Sequence, residues 1–202
     1  KSLAEGQMGV VFAAFLKLLI PFIVVIPGML AFNLFNSDLK DDAVNRNALV
    51  LAEKSPELYR DLSDGMKPDA NDQRLAQMVG KIEELLADGK TSEVPQLFKF
   101  DQAFAELHPE DAAKVVTYNV DLLGDKINLD EIEIQQADGD KKRLSDLTVS
   151  EATPEVLAVY SEAFADTAKE KLSKEVAVET LVAHDYDNAF PTLIRKLLPV
   201  GL

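Results

Sequence analysis

Two kinds of hydrophobic pattern divide the chain. Residues 9–35 are almost continuously apolar and carry a single charge, on Lys17. Beyond residue 37, apolar side chains recur at the spacing of amphipathic helices and are separated by charged ones. The pattern predicts an apolar N-terminal helix, followed by a mostly helical domain with a core of its own.

The second region predicts several helices separated by turn residues. Ser55-Pro56 interrupts the first of them, and Gly89 ends the most regular amphipathic one. The predicted segments cover residues 38–67, 71–88, 96–107, 110–123 and 155–182, the last as one or two helices.

A change of period occurs once, in the sequence INLDEIEI at residues 127–134. Partial alternation there predicts a short strand. Residues 142–147 follow a turn at Asp138-Gly139-Asp140 and return as a second strand or as a helical turn. The predicted fold class is therefore mainly α with one small β-hairpin.

The apolar segment is long enough to cross a bilayer, since a spanning helix needs about 20 mainly apolar residues and residues 18–37 carry no charge. A secretory signal peptide has a shorter apolar region and a small-residue cleavage site, which residues 32–35 (FNLF) do not offer. Pro21 and Pro27 count against a buried helix of a soluble protein, because proline kinks a helix. A transmembrane helix over residues 1–37 is the favoured prediction.

Lys17 lies about 12 Å along this predicted helix from Gly9, at about 1.5 Å per residue. An ionisable residue at such depth is a functional candidate that faces a helix bundle or a wet cavity. The alternative is a lysine that extends its side chain to the membrane surface. The residues alone leave both open.

The net negative charge of the chain limits the kinds of macromolecule that it can bind. The first 35 residues hold two lysines and one glutamate, which leaves 19 basic and 34 acidic residues and a net charge of −15 for residues 36–202. Phosphate contacts need Lys and Arg, so we expect no nucleic-acid partner. The chain has no cysteine, which excludes disulfides and thiol metal sites.

Candidate chemistry is sparse. His184 lies in AHDYD, where a lone histidine beside two aspartates is a weak metal signal, and we expect it in a surface loop. Asp138-Gly139-Asp140 lacks the other ligand positions of a calcium loop. Neither a phosphate-binding loop nor a nucleophile motif occurs. We therefore expect no catalytic residue, no metal site and no enzyme activity.

Two terminal segments resemble one family. Residues 1–35, with Phe15-Leu16-Lys17, Pro21 and Pro27-Gly28, resemble a core membrane helix of the sodium/solute symporters, in the sodium/glucose cotransporter branch. Residues 187–202 (DNAFPTLIRKLLPVGL) resemble the segment that leads into the next membrane helix.

The resemblance implies a fragment of a multi-helix, inverted-repeat transporter that imports a small solute, expected to be a sugar or polyol, with sodium. Its implied parts are a transmembrane helix over 1–37, an inserted extracellular or periplasmic loop domain over 38–184, and a re-entry segment over 185–202. Lys17 matches the lysine at the substrate pocket of sugar-transporting members. No sodium ligand is implied within this chain.

The resemblance further implies an inner (plasma) membrane location and contacts with lipid and with the remaining transmembrane helices of the parent protein. The competing hypothesis is a single-pass, membrane-anchored periplasmic domain that acts in binding or as a scaffold. That protein would show the same apolar segment and acidic domain, without a family-like sequence on both sides.

Overall fold

The computed structural model describes the backbone of residues 3–70, 72–73, 75–89, 94–135 and 139–197. Within its first and last helices, the side chains of residues 3–9, 18, 20–24, 27–28, 31, 190, 193 and 197 lie outside that description. The chain forms two compact units, which divide between Asp42 and Ala43 and between His184 and Asp185. The predicted boundaries at 37/38 and 184/185 stay predictions.

Helix α1 runs from Leu3–Lys54 and is longer than any helix predicted from the sequence. Its backbone stays helical through residues 21 and 27 and departs from helical geometry at Phe35 (φ −127°, ψ 29°). The bend therefore lies next to the polar residues Asn36 and Ser37, and not at the prolines. The kink at Phe35 separates the apolar segment from the start of the predicted second helix, so α1 joins two helical stretches.

Among the residues that the structure describes, no helix combines the length and the apolar character needed to cross a membrane. The structure confirms a helix at the N-terminus. The membrane-spanning character predicted for residues 1–37 is therefore not confirmed by the described residues.

The next helices agree broadly with the predicted pattern. The break at Ser55 is confirmed, since α1 stops at Lys54 and α2 spans Pro56–Asp61 with proline in its first turn. Helix α3 spans Ala76–Asp88 and ends at Gly89, whose φ of +62° is a left-handed conformation that favours glycine. The start predicted at residue 71 is five residues too early.

The segment predicted as one helix over 96–107 is wrong in its first half. Residues Gln96–Phe100 form strand β1, and only Gln102–Leu107 form a helix, α4. The Asp101 side chain caps α4 by accepting a hydrogen bond from the backbone N–H of Phe104 at 2.8 Å. Four of the five β1 residues are buried, so the strand shows no alternation of polar and apolar positions.

Helix α5 spans Pro109–Leu123 and confirms the prediction for residues 110–123. Short strands β2, at Glu133–Gln135, and β3, at Lys141–Arg143, pair antiparallel and confirm the small hairpin. The 3₁₀ turn Leu144–Asp146 follows β3 directly. The strand and the helical turn predicted as alternatives for residues 142–147 therefore both occur, one after the other.

Helix α6 spans Pro154–Leu172 and confirms most of the helical segment predicted over 155–182, whereas its last part is instead strand β4, Ala177–Leu181. Strand β4 pairs parallel with β1, with Gln96 opposite Ala177 and Phe100 opposite Leu181. This second sheet was missed from the sequence, because its strands lie far apart along the chain.

The core of the 43–184 unit forms where α5 and α6 pack on β1. Three phenylalanines, at positions 98, 104 and 164, are fully buried there. In the other unit, the 3₁₀ turn Tyr186–Asn188 leads into helix α7, Ala189–Leu197, while Leu39 and Ala189 form a small cluster with Phe35 packed against it. Residues 198–202 of the predicted re-entry segment lie outside the described residues.

Candidate functional site

Lys17, the residue predicted to contact substrate, lies on α1 with an exposed side chain. Its neighbours Phe15 and Leu16 are 58% and 45% exposed. Lys17 lines neither the cleft beside Leu58 and Thr117 nor the one around Gly124 and Asp130. A substrate pocket at Lys17 would require other helices, and the role of this residue stays a prediction.

The described side chains of α1 form an extensive exposed apolar surface. Eleven large apolar residues between positions 10 and 34 are 37–71% exposed: Val10, Val11, Phe12, Phe15, Leu16, Val25, Ile26, Met29, Leu30, Phe32 and Leu34. They occur at successive positions and not only at helical spacing, so they do not define a single stripe. A helix that is apolar all round is normally buried in a large protein or in a membrane.

A charged cluster lies just beyond the bend in α1. Lys196 Nζ is 2.9 Å from Asp38 Oδ1 and 5.8 Å from the centre of the Phe35 ring, a favourable cation–π distance. The backbone N–H of Asp185 donates to the carbonyl oxygen of Leu39 at 3.0 Å. These contacts tie the segment that precedes α7, and α7 itself, to α1.

Asp42 belongs to the same cluster and has an unusual electrostatic environment. Burial raises its pKa above the ordinary value of 3.8, Arg195 opposes that rise, and the carboxylates of Asp185, Asp38 and Asp41 add to it. Within the described part of the chain, no group of three or more His, Asp or Glu side chains is arranged to hold a metal ion. The ion pair and the hydrogen bond of this cluster hold α1 and the segment that ends in α7 together.

His184 does not lie in a surface loop as expected, because its residue is only 8% exposed. It follows β4 directly, where the chain is still packed on the core, and its neighbours Ala183 and Asp185 are 3% and 5% exposed. The Asn47 side chain holds this stretch by bonding both backbone groups of Val182. The burial could not be predicted locally, because the sequence AHDYD around His184 is mostly polar.

A cleft of about 570 Å³ opens on the 43–184 unit, between α2, α5 and the 3₁₀ turn Val149–Glu151. Its lining mixes hydroxyl, carboxylate and apolar groups: Leu58, Asp61, Ala113, Lys114, Thr117, Tyr118, Asp121, Thr148, Val149 and Ser150. Nothing in the sequence motifs predicted this cleft. The only sequence signal is the i, i+4, i+8 spacing of Ala113, Thr117 and Asp121 on one face of α5.

The cationic group in the cleft already has partners. Lys114 Nζ donates to the carbonyl oxygen of Asp61 at 2.8 Å and lies 3.6 Å from Asp111 Oδ1. The lining offers hydroxyl groups and the carboxylates of Asp61 and Asp121 beside apolar side chains, and it contains no histidine.

Comparison with known proteins gives one short match. No family model matches the chain, and no solved structure matches it. A sodium/glucose cotransporter of Vibrio parahaemolyticus is 62% identical to this chain over 32 residues, which cover 16% of the chain and 6% of that protein. The chain therefore shares a short, specific segment with a much longer curated protein.

Proposed function

We propose that this chain is a section of a sodium-coupled symporter of the sodium/solute symporter family. The observation that carries the proposal is the 62% identity over 32 residues to a sodium/glucose cotransporter. In this proposal, the part of α1 that lies within residues 1–37 belongs to a core helix of the transporter. Residues 38–184 form an enlarged loop domain on the extracellular or periplasmic side of the inner membrane.

The exposed apolar surface of α1 supports this assignment. Eleven large apolar side chains in contact with water would be costly, at about 25 cal/mol per Å² of apolar surface. In the parent protein, lipid and the remaining transmembrane helices would cover them.

The proposed activity is the import of a small solute, a sugar or polyol, driven by the sodium gradient through alternating access. Lys17 would donate hydrogen bonds from its ammonium group to solute hydroxyls, or pair with a carboxylate of another helix. Sodium is the coupling ion of the proposed parent, and its ligands would come from other segments.

The first test is membrane topology. Because these 202 residues contain no cysteine, each introduced cysteine is the single labelling site within them. Single cysteines at Ser2, Ser37 and Ser145 would be placed in a cysteine-free version of the full-length parent in right-side-out vesicles. A membrane-impermeant maleimide should label positions 37 and 145 but not position 2. Labelling of all three from outside would contradict a spanning helix.

Transport by the full-length parent in proteoliposomes tests the role of Lys17. Lys17→Ala should reduce sodium-driven sugar uptake about tenfold or more, because a hydrogen bond from a charged group contributes about 1.5–3 kcal/mol. Lys81→Ala removes an exposed lysine of α3 and should leave uptake unchanged. Protein amount in the membrane should be equal in both variants.

Uptake that does not depend on the sodium gradient would contradict a symporter. It would favour the competing hypothesis of a membrane-anchored periplasmic binding domain. Unchanged uptake kinetics in Lys17→Ala would remove Lys17 from the substrate pocket without affecting the rest of the proposal.

A further inference from the structure

The outer edge of strand β1, which faces away from β4, is closed by polar side chains. The amide of Asn119 bonds both backbone groups of Phe98: its Oδ1 accepts from the N–H at 3.1 Å, and its Nδ2 donates to the carbonyl at 2.7 Å. Ser161 Oγ accepts from the N–H of Phe100 at 3.3 Å. Side chains thus replace the neighbouring strand that β1 lacks.

These bonds fix which residues of β1 face its partner strand. The N–H and C=O of one residue in a parallel ladder point to the same side. The backbone N–H and C=O groups of Phe98 and Phe100 therefore point away from β4. Those of Leu97 and Lys99 point toward it.

The register then determines the orientation of β4. Leu97 lies opposite Val178, and Lys99 lies opposite Thr180. In a parallel ladder, a residue forms its hydrogen bonds with the two residues on either side of its partner. The backbone groups of residues 177, 179 and 181 therefore point toward β1. The bond from Ala177 N to the carbonyl of Pro95 at 3.0 Å agrees with this assignment.

The backbone groups of Val178, Thr180 and Val182 consequently point to the outer edge of β4. Asn47 closes the edge at Val182, where its Oδ1 accepts at 3.1 Å and its Nδ2 donates at 2.8 Å. No residue of the described chain forms such a bond with Val178 or Thr180. Two residues, each with one N–H and one C=O, remain open on this edge.

We infer that this edge binds an extended peptide segment that carries a basic residue opposite Glu179. An open edge with spaced donors and acceptors is a site for the addition of a strand. Glu179 lies between the two open residues. The net charge of −14 favours a cationic partner over a neutral or acidic one.

A second copy of the chain is a poorer occupant. The antiparallel β4–β4 register that uses both open residues of each copy would place Val178 opposite Thr180 of the other copy, and Glu179 opposite its own counterpart. Like charges directly opposite one another in a sheet are destabilising. This inference concerns the 43–184 unit and does not depend on the transport activity.

The test uses the 202-residue chain in detergent micelles with two synthetic peptides, one of alternating threonine and lysine and one of alternating threonine and glutamate. Hydrogen exchange followed by NMR should show that the lysine peptide slows exchange of the Val178 and Thr180 amides. The glutamate peptide should leave these rates unchanged.

Two pairs of variants sharpen the test. Thr180→Pro removes an outward N–H that β1 does not use, and should weaken binding about three- to tenfold, the loss of one or two backbone hydrogen bonds. Its control, Thr180→Ala, keeps the N–H and should bind normally. Glu179→Lys should favour the glutamate peptide, whereas Glu175→Lys, the same charge change at an exposed position before β4, should change the preference much less.

Three results would overturn the inference. Equal protection by both peptides would mean that charge plays no part, and equal effects of Glu179→Lys and Glu175→Lys would mean that the lysine peptide binds by net charge alone. Protection of Val178 and Thr180 that rises with protein concentration, without any peptide, would assign the edge to a second copy. The Glu179→Lys comparison decides the matter even if Thr180→Pro fails to fold.

Discussion

Asn119 shows how one amide side chain completes the backbone bonding of a strand. It is 1% exposed and bonds the N–H and the C=O of Phe98 at the same time. Asn47 makes the same pair of bonds with Val182. Asparagine suits this role because its side chain carries the same donor and acceptor groups as a peptide bond.

Replacing Asn119 by alanine should therefore be costly. Asn119→Ala leaves two buried backbone groups unpaired, and at about 1–3 kcal/mol for each such group we expect the free energy of unfolding to fall by about 2–6 kcal/mol. Urea titration followed by circular dichroism measures this change. Thr117→Ala, at an exposed position of the same helix, should cost less than about 0.5 kcal/mol. Similar losses in both variants would contradict the role assigned to Asn119.

Asp42 should make the stability of its unit depend on pH. Its pKa is raised above 3.8, chiefly by burial, so the folded state binds the proton more tightly than the unfolded chain does. Ionised Asp42 then lowers stability at pH values above its folded pKa, and the penalty disappears as the pH falls below 3.8. Asp42→Asn should raise the melting temperature at neutral pH.

The pH dependence separates this effect from a general loss of negative charge. The gain in Asp42→Asn should shrink in acid, where the native carboxyl is already neutral. Asp41→Asn removes a charge from an exposed neighbour and should change the melting temperature much less. A gain in Asp42→Asn that is the same at neutral and acid pH would rule out the ionisation as its cause.

Helix α3 offers a matched pair of glycines with opposite requirements. Gly80 lies in the helix interior and Gly89 at its C-terminal end with φ +62°, and an added Cβ would meet no atom within 4 Å at either position. Gly80→Ala should raise the free energy of unfolding by about 0.5–1 kcal/mol. Gly89→Ala should lower it by about 1–2 kcal/mol.

Because neither alanine would contact another atom, backbone conformation alone sets both signs. Thermal or urea unfolding of the two variants measures them. Changes of the same sign would mean that the end of α3 does not hold a left-handed residue at position 89.

The helices could be predicted from the sequence better than the strands could. The period of α5 and the glycine that ends α3 are local signals. The sequence QLFKF of β1 gives no local signal, because it is five residues long and buried on both faces. Its partner β4 begins at residue 177 of an Ala-rich, charged segment that reads as helix. Only tertiary pairing distinguishes these strands from helices.

The candidate sites were predicted less well than the fold. Lys17 stands out because it is a lone charge in an apolar run, and such a signal identifies the residue but not its neighbours. The cleft beside α5 assembles residues from three separate parts of the chain, with no motif in any of them. Similarly, His184 is buried two residues after Val182, which the distant Asn47 side chain bonds, and no local pattern reveals that contact.

The 43–184 unit has its own core and should fold alone. Every residue of its main buried cluster lies between Ala48 and Ala183. We expect residues 43–184, expressed separately, to unfold cooperatively, with coincident transitions by far-UV circular dichroism and tyrosine fluorescence. A spectrum typical of a disordered chain would mean that the unit depends on the flanking segments.

The pair of hydrogen bonds between the Asn47 side chain and the backbone of Val182 has a consequence for how such a domain is gained or lost. It joins positions 135 residues apart, near the first and last residues of the unit. A module whose two ends lie side by side can be spliced into a short turn between two helices without forcing them apart.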